Sequence, residues 1–289
     1  MAYPSDDPTA GDASPALTDG QAAKEFSRVS LTLKTLSDGN RTLLRASDEQ
    51  ELLHDMCRVI VETGGYRFAW VAYLEHNELK SIRWMAGVGM DKERSKAFHF
   101  NWAEDMESGG TAIGTAIRTG EPVVGRNLTD LGLAGPTYDR FREDAIQKGY
   151  ASVTAFPLRV DGEVLGALAI AAAELDAFGA GEVNLLSQLA DDLAYGIANL
   201  RTRVQHREAQ AALERLAYYD PLTDLPNRTQ LLEGLQGKIE TAKQQHRALA
   251  LLHLQVGQFH EINKVLGYSS GDKLLQVRPS LSRRGAIPI

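Results

Sequence analysis

The 289-residue chain has a single cysteine, Cys57, so it closes no internal disulfide and offers no thiolate cluster to a metal. No apolar run approaches the roughly 18 residues of a membrane span. The first twenty residues, MAYPSDDPTAGDASPALTDG, have neither a basic opening nor an apolar core, which excludes a secretory signal. Positive charge is in deficit. Lys and Arg number 31 against 38 Asp and Glu, a net charge of −7, which argues against broad affinity for nucleic acid or an anionic membrane. No nucleic-acid partner and no membrane partner is therefore expected, and a cytoplasmic location fits these absences.

What is present is an ordinary globular composition, 43% hydrophobic and 24% charged, long enough for about two domains at roughly 150 residues each. Residues 1–21 are rich in Pro, Ser, Asp and Gly and read as a disordered lead. Residues 22–63 read as helix in two parts, broken near 37–40, with Ser47 capping the second part and Gln50 three residues on. YRFAWVAYLE, 66–75, puts Tyr66, Phe68, Trp70, Ala72 and Leu74 on one face and Ala69, Val71 and Tyr73 on the other. Both faces are mostly apolar, which predicts a strand covered on both sides. LKSIRWMAG returns as its partner after a turn at His76-Asn77-Glu78.

GGTAIGTAIRTGEPVV, 109–124, predicts a turn, a short helix ending at Gly120 and a short strand. PTYDRFREDAIQKGY, 136–150, predicts a helix with Pro136 in its first turn and Gly149 at its end. SVTAFPLRV and EVLGALAIAAA form a hairpin across Asp161-Gly162. Residues 179–219 read as one long helix, with Leu186, Leu189, Leu193, Ile197, Leu200 and Val204 at three/four spacing. Its second half is charged on most faces. That suits either a solvated connector or a parallel dimer helix passing a signal onward. A turn with a helix from about Asn227 follows, then a strand at 248–256, a short helix and a Gly-Asp turn. From Val277, VRPSLSRRGAIPI has no clear period.

The first of these regions, about 49–200, resembles a bacterial GAF domain. The resemblance rests on ELLHDMCRVIVETGGYRFAWVAYLE, GTAIRTGEPVV, SVTAFPLRVDGEVLGALAI and FGAGEVNLLSQLADDLAYGI. It implies an α+β fold, an antiparallel sheet flanked by helices, in a small-molecule or redox sensor or a dimerisation module. A ligand would sit between the sheet and the irregular segment. The cyclic-nucleotide signature of such domains is missing, the nearest text being Asn127-Leu128-Thr129-Asp130. A bilin would need a pocket cysteine, and Cys57 sits on the early helix in an apolar setting, where it reads as a small buried hydrophobe. A haem would need a pocket histidine, for which only His99 is near enough. One cysteine argues against a methionine sulfoxide reductase. Candidate pocket residues, by position, are Trp84, Trp102, Thr111, Thr115, Tyr138 and Phe156; a ligand-free dimer scaffold is the alternative.

The text from Asp220 onward resembles the start of the GGDEF family of diguanylate cyclases. DPLTDLPNR matches the family opening through Asp220, Leu222, Thr223, Leu225, Asn227 and Arg228. LQVGQFHEINKVLGYSSGD, 254–272, matches its second motif through Phe259, Ile262, Asn263, Gly267, Gly271 and Asp272. The resemblance implies an α/β segment following the connector helix. It also implies joining of two GTP molecules by attack of a 3′-hydroxyl on an α-phosphate, with divalent metal neutralising the phosphates. Here the two metal-site positions are Gln255 and Gly257, and His260, Lys264 and Tyr268 replace the family's Lys, Asp and His. The signature hairpin is not reached. Asn263 and Asp272, the pair that reads guanine in the family, remain as a nucleotide-binding remnant.

The expected organisation is therefore a disordered lead (1–21), a GAF sensor domain with its leading helix (22–200), a signalling helix (201–219), a partial GGDEF-like domain (220–276) and an irregular tail (277–289). No catalytic residue and no bound metal are expected. The GAF ligand is unidentified, and Mg and GTP would serve only a complete cyclase-like domain. Expected partners are a second copy, through the GAF domain and connector helix, and GTP or cyclic-di-GMP. The alternative is an active diguanylate cyclase. The change of character at Val277 leads to the expectation of a truncated or frame-shifted relative of a GAF–GGDEF–EAL protein.

Overall fold

The computed structural model describes residues 19–90, 100–104, 109–128 and 136–285, without the side chains of 19–25, 136–138 and 277–285. The chain forms two units, Met1–Thr202 and Arg203–Ile289. The described residues hold eight helices and five strands. None of the helices is long and apolar enough to cross a membrane.

The first unit is an antiparallel sheet with helices on both faces. Helices α1 (Asp19–Arg45) and α2 (Glu49–Glu62) come first, followed by β1 (Phe68–Leu74) and β2 (Ile82–Val88). Next are α3 (Ala112–Thr119), β3 (Val123–Gly125) and α4 (Pro136–Gln147), then the hairpin β4 (Ser152–Val160) and β5 (Glu163–Ala172). Helix α5 (Ala180–Tyr218) begins in this unit. The strand order is β2-β1-β5-β4-β3, every neighbour antiparallel. Asp161 and Gly162, at φ 53° and 85°, make the expected tight turn of the β4–β5 hairpin. Gly120 ends α3 in the left-handed region, φ 68°, where a side chain would be strained.

β1 is central and buried along most of its length, as its two apolar faces predict. Val71 and Tyr73 join Phe156, Leu158, Leu168 and Ile170 beneath α2 and α5. Phe68, Trp70 and Ala72 face the other way, against α3, α4 and the chain around Phe100. Tyr66 precedes the strand and so escapes its alternation; it joins the α2/α5 side, stacked 5.8 Å from Phe178. The three/four seam of α5 is spent within this unit: Leu186, Leu189, Leu193 and Ile197 are at most 1% exposed.

Three local expectations change. Helix α1 runs through Gly39 without a break. A Cβ there would lie 2.5 Å from Leu189 Cδ1 and 3.2 Å from Met56 Sδ, so the glycine admits α5 and α2 to the helix backbone instead of ending the helix. The cap of α2 is Asp48, one residue after Ser47; its Oδ1 accepts from Glu51 N at 3.0 Å. The third change concerns the second unit, whose described elements are all helical: α6 (Arg228–Gln244), α7 (Phe259–Leu266) and α8 (Tyr268–Gly285). Residues 248–256, expected as a strand, are irregular, with Leu252 and Leu254 84% and 79% exposed. A lone strand is unstable in water, and among the described residues this unit has no second strand to pair with it. The expected Gly271-Asp272 turn lies inside α8. That helix runs on to Gly285, through Pro279 and the stretch expected to be irregular.

Gly39→Val should destabilise the first unit by about 1–3 kcal/mol through overpacking against Leu189 and Met56. Urea unfolding followed by tryptophan fluorescence measures this, since all three tryptophans, 70, 84 and 102, belong to that unit. An unchanged midpoint would contradict the close helix approach.

Candidate functional site

On the α3/α4 side of the sheet, the fully buried residues of β5 are all alanines: Ala167, Ala169 and Ala171. The register sets Trp70 directly beside Ala169. Small residues there leave room that aromatic rings must fill, and they nearly do. What is left is a cavity of about 20 Å³, room for about one water. Its lining includes Phe68, Trp70, Phe100 and Phe141, together with Met90 and Thr111. Trp70 is 4% exposed, stacks 5.2 Å from Trp84 at 20° and lies 5.1 Å from Phe100. Its indole Nε1 is fully buried and has no hydrogen-bond partner among the described residues.

Of the residues singled out by position whose side chains are described, Thr111 lines this cavity. It also caps α3, its Oγ1 accepting from Gly114 N at 3.3 Å. Trp84 backs Trp70 from β2. Trp102 is tied to the β1–β2 connection: its Nε1 donates to the Glu75 carbonyl at 3.2 Å, and Lys80 Nζ lies 5.0 Å over its ring. Thr115 lies within α3, half-buried. Phe156 is fully buried in the core of the opposite face, under α2 and α5. The side chain of Tyr138 and all of His99 lie outside the described residues. Trp70 was legible only as one more apolar residue of a covered strand. The run of alanines in EVLGALAIAAA was the available signal that the ring opposite them faces space.

Where α5 leaves this unit, three side chains lock together. Arg201 donates from Nε and Nη2 to the two carboxylate oxygens of Glu49, both at 2.8 Å, and Tyr73 Oη donates to Glu49 Oε1 at 2.8 Å. The guanidinium also lies 5.3 Å over the Tyr73 ring. Burial pulls the Glu49 carboxyl upward, but the hydrogen bonds from Arg201 and Tyr73 outweigh it and hold it below its usual range. Burial, reinforced by the Glu49 carboxylate, pushes the Tyr73 hydroxyl up. Cys57, fully buried, has its thiol pushed up to about 12 by desolvation and is chemically inert.

In the second unit the 220–228 motif builds a corner between helices. Asp220 Oδ1 accepts from Thr223 N at 2.9 Å and Thr223 Oγ1 at 2.8 Å, which hold its carboxyl below the usual range. Asn227 caps α6 by accepting from Gln230 N at 3.1 Å, while its Nδ2 donates to the Ala217 carbonyl at 2.8 Å. Asn263 on α7 lies against Gly271 of α8, where any Cβ would overlap its Oδ1, and that oxygen is buried without a partner among the described residues. Asp272 is next in sequence and exposed.

A family model of the GAF domain matches residues 46–198, more than half of the chain. The chain belongs to the GAF domain family. The match coincides with the region, 49–200, whose text resembles that family, and the five-stranded antiparallel sheet with flanking helices is its α+β fold. A second family model, the diguanylate cyclase GGDEF domain, matches residues 217–280. Among proteins similar in sequence, the cyclic di-GMP phosphodiesterase NbdA of Pseudomonas aeruginosa is 39% identical over 69 residues, 24% of this chain and 9% of that protein. The diguanylate cyclase DgcP of Escherichia coli is 30% identical over 136 residues, 46% of this chain and 40% of that protein. The chain thus spans well under half the length of either. Among solved structures, a free methionine-R-sulfoxide reductase from Neisseria meningitidis aligns at 18% identity and TM-score 0.49, covering 61% of this chain and 93% of that one. The GAF domain of an Acinetobacter phosphoenolpyruvate-protein phosphotransferase aligns at 16% identity and TM-score 0.47, covering 60% and 97%.

The GAF domain thus has an aromatic cavity on one face of β1 and the Glu49–Tyr73–Arg201 lock on the other. For the divalent metal of a cyclase, the residues of the GGDEF-like region do not fit. Gln255 brings a neutral amide and Gly257 no side chain at all, and both are exposed on an irregular segment.

Glu49 has a depressed folded-state pKa, so its contribution to stability is present above the ordinary carboxylate range and lost as pH falls through its lower value. Glu49→Gln should cost the GAF domain about 1 kcal/mol at pH 7, a figure already discounted for partial exposure. The gap should close as pH falls through the lowered range of the Glu49 carboxyl. Denaturant titrations of both proteins from pH 3 to 8 measure it, and a gap independent of pH would remove the ionic role of Glu49.

Proposed function

We propose that this protein transmits a signal within cyclic-di-GMP regulation: its GAF domain senses a small molecule and, through α5, acts on a GGDEF-like region that does not itself catalyse. The observation that carries this reading is the order of two family matches, GAF at 46–198 and GGDEF at 217–280, with one unbroken helix, Ala180–Tyr218, running from the first into the second. The names of the similar proteins, a cyclic di-GMP phosphodiesterase and a diguanylate cyclase, support the choice of second messenger.

In this reading the domain is divided as its text suggests: sensor to residue 200, signalling helix to 219, nucleotide-family remnant from 220 to 276. The sensing route is β1. It carries Trp70 at the cavity and, three residues on, Tyr73 in the lock with Arg201. An occupant that moves β1 changes the fit of Tyr73 to Glu49 and so the hold on α5 just before the helix leaves the GAF domain. The output is a change in the pairing of two copies along the later part of α5, where Val204, Leu213 and Leu216 are 49%, 67% and 61% exposed. The GGDEF-like region lacks the charge to hold Mg²⁺ and ready a 3′-hydroxyl, so GTP or cyclic-di-GMP would be bound through Asn263 and Asp272 without being turned over.

Purified protein with Mg²⁺ and GTP should form no cyclic-di-GMP above the protein-free control; sustained product would make it an active cyclase instead. Val204→Cys places a single reactive thiol on α5, since Cys57 is buried and inert. Mild oxidation of that variant should give a disulfide-linked dimer. A chain that stays monomeric at every concentration would overturn pairing through the helix.

A further inference from the structure

Helix α1 carries two apolar lines, and its own domain covers one of them. Val29, Leu36 and Leu43 recur every seventh residue. Val29 lies against Gly181 and Leu43 against Gly196 of α5, while Leu36 packs on the core. The second line is Phe26, Ser30, Leu33, Ser37, Asn40 and Leu44, advancing by four and three residues in turn. That is the spacing of a helix-pairing seam, and it holds for about five turns without a charged residue. All six residues are exposed, with Phe26, Leu33 and Leu44 at 78%, 51% and 89%. The solvent side of a surface helix is ordinarily charged, so this line has the composition of a contact rather than of a wet face.

The seam matches itself. In a parallel pair each residue meets its own copy. Phe26 and Leu33 are then spaced by the small Ser30 and Ser37, and the Asn40 amide, both donor and acceptor, answers its own image and sets the register. The flanks match as well. In a parallel pair, each flank of one helix faces the opposite flank of its partner. One flank of the α1 seam is basic, with Lys34 and Arg41; the other is the side on which α5 lies. α1 and α5 run in the same direction, Gly39 against Leu189 and Leu43 against Gly196, and Asp192 stands about one turn from each of those α5 residues, level with Arg41. Burial and the neighbouring Asp191 push the Asp192 carboxyl up, with no cation among the described residues to offset them.

Resting on the reading that this chain signals as a pair of copies, we propose that the outer seam of α1, from Phe26 to Leu44, is the surface on which a second copy docks, seam to seam and parallel, with Arg41 of each copy facing Asp192 of the other. This interface belongs to the GAF domain itself and is separate from the later part of α5.

Phe26→Cys, Leu33→Cys and Leu44→Cys each place one accessible thiol on the seam, since Cys57 is buried. Mild oxidation of the full-length chain should link all three into dimers, while Arg45→Cys, next in sequence but off the seam, stays unlinked. Leu33→Glu should weaken the dimer roughly tenfold or more in sedimentation, because a charge is carried into the contact. Its urea midpoint should not move, because Leu33 is half exposed in the single chain. Arg41→Glu should also weaken the dimer, and adding Asp192→Arg should restore it, a recovery that apolar contact alone would not give. Linking at only one of the three seam positions, an unchanged dimer in Leu33→Glu, or no recovery in the charge exchange would each overturn the assignment. Seam disulfides without a Val204→Cys disulfide would leave the α1 interface intact and refute pairing through α5. The reverse pattern would refute the α1 interface alone.

Discussion

A strand buried on both faces must bond its backbone to neighbours on both edges and fit its side chains into two separate cores. β1 is in that position. Its pairing with β2 and β5 satisfies the backbone, and its alternation divides the residues cleanly: Val71 and Tyr73 to the α2/α5 core, Phe68, Trp70 and Ala72 to the α3/α4 side. Both features of interest hang from this strand. The cavity exists because the small alanines of β5 lie beside Trp70, and the lock exists because Tyr73 emerges on the other face within reach of Glu49. A displacement of β1 cannot be confined to one side.

The helix that leaves the GAF domain is held at both ends of its packed portion. At its start Glu182, itself buried, takes a 3.2 Å contact from Arg28 Nε on α1 and a 3.2 Å hydrogen bond from Gly179 N. At the far end stands the bidentate Arg201–Glu49 pair. Between them the leucine seam is consumed by the domain's own core, so it is not free to form a second interface. An apolar seam between two copies along α5 would therefore fall beyond Arg201, where the helix is charged and carries only scattered apolar side chains. Such a surface suits an interaction that changes with state better than a permanent one.

In the GGDEF-like region the matched motifs act through local contacts. Asp220, Thr223 and Asn227 still tie a tight corner between helices through short hydrogen bonds, and Gly271 still admits Asn263 against α8. These contacts are local and need no distant partner. A strand, by contrast, is held in place by its neighbours, and the segment at 248–256, with its exposed leucines, has none among the described residues of this unit.

What the sequence determined by itself is whatever depends on near neighbours in the chain. The doubly covered strand, the Asp161-Gly162 hairpin, the glycine-ended α3, the long helix and the Asn227 cap were all legible, because periodicity and turn chemistry act over a few residues. The GAF and GGDEF families were legible in the same way, from contiguous motifs. Tertiary structure decided the rest. Gly39 reads locally as a helix breaker and is in fact a contact point, because only the packing of α5 reveals what its missing side chain makes room for. Phe156 and Thr111 look equally suited to a pocket, yet alternation along β4 buries one on the opposite face while a helix start brings the other to the cavity. The apolar run at 248–256 has a strand's composition without a strand's partner. Trp70 could be recognised as a wall of the cavity only once the register placed it beside Ala169, since which side chain faces which is fixed by pairing across the sheet and not by order along the chain.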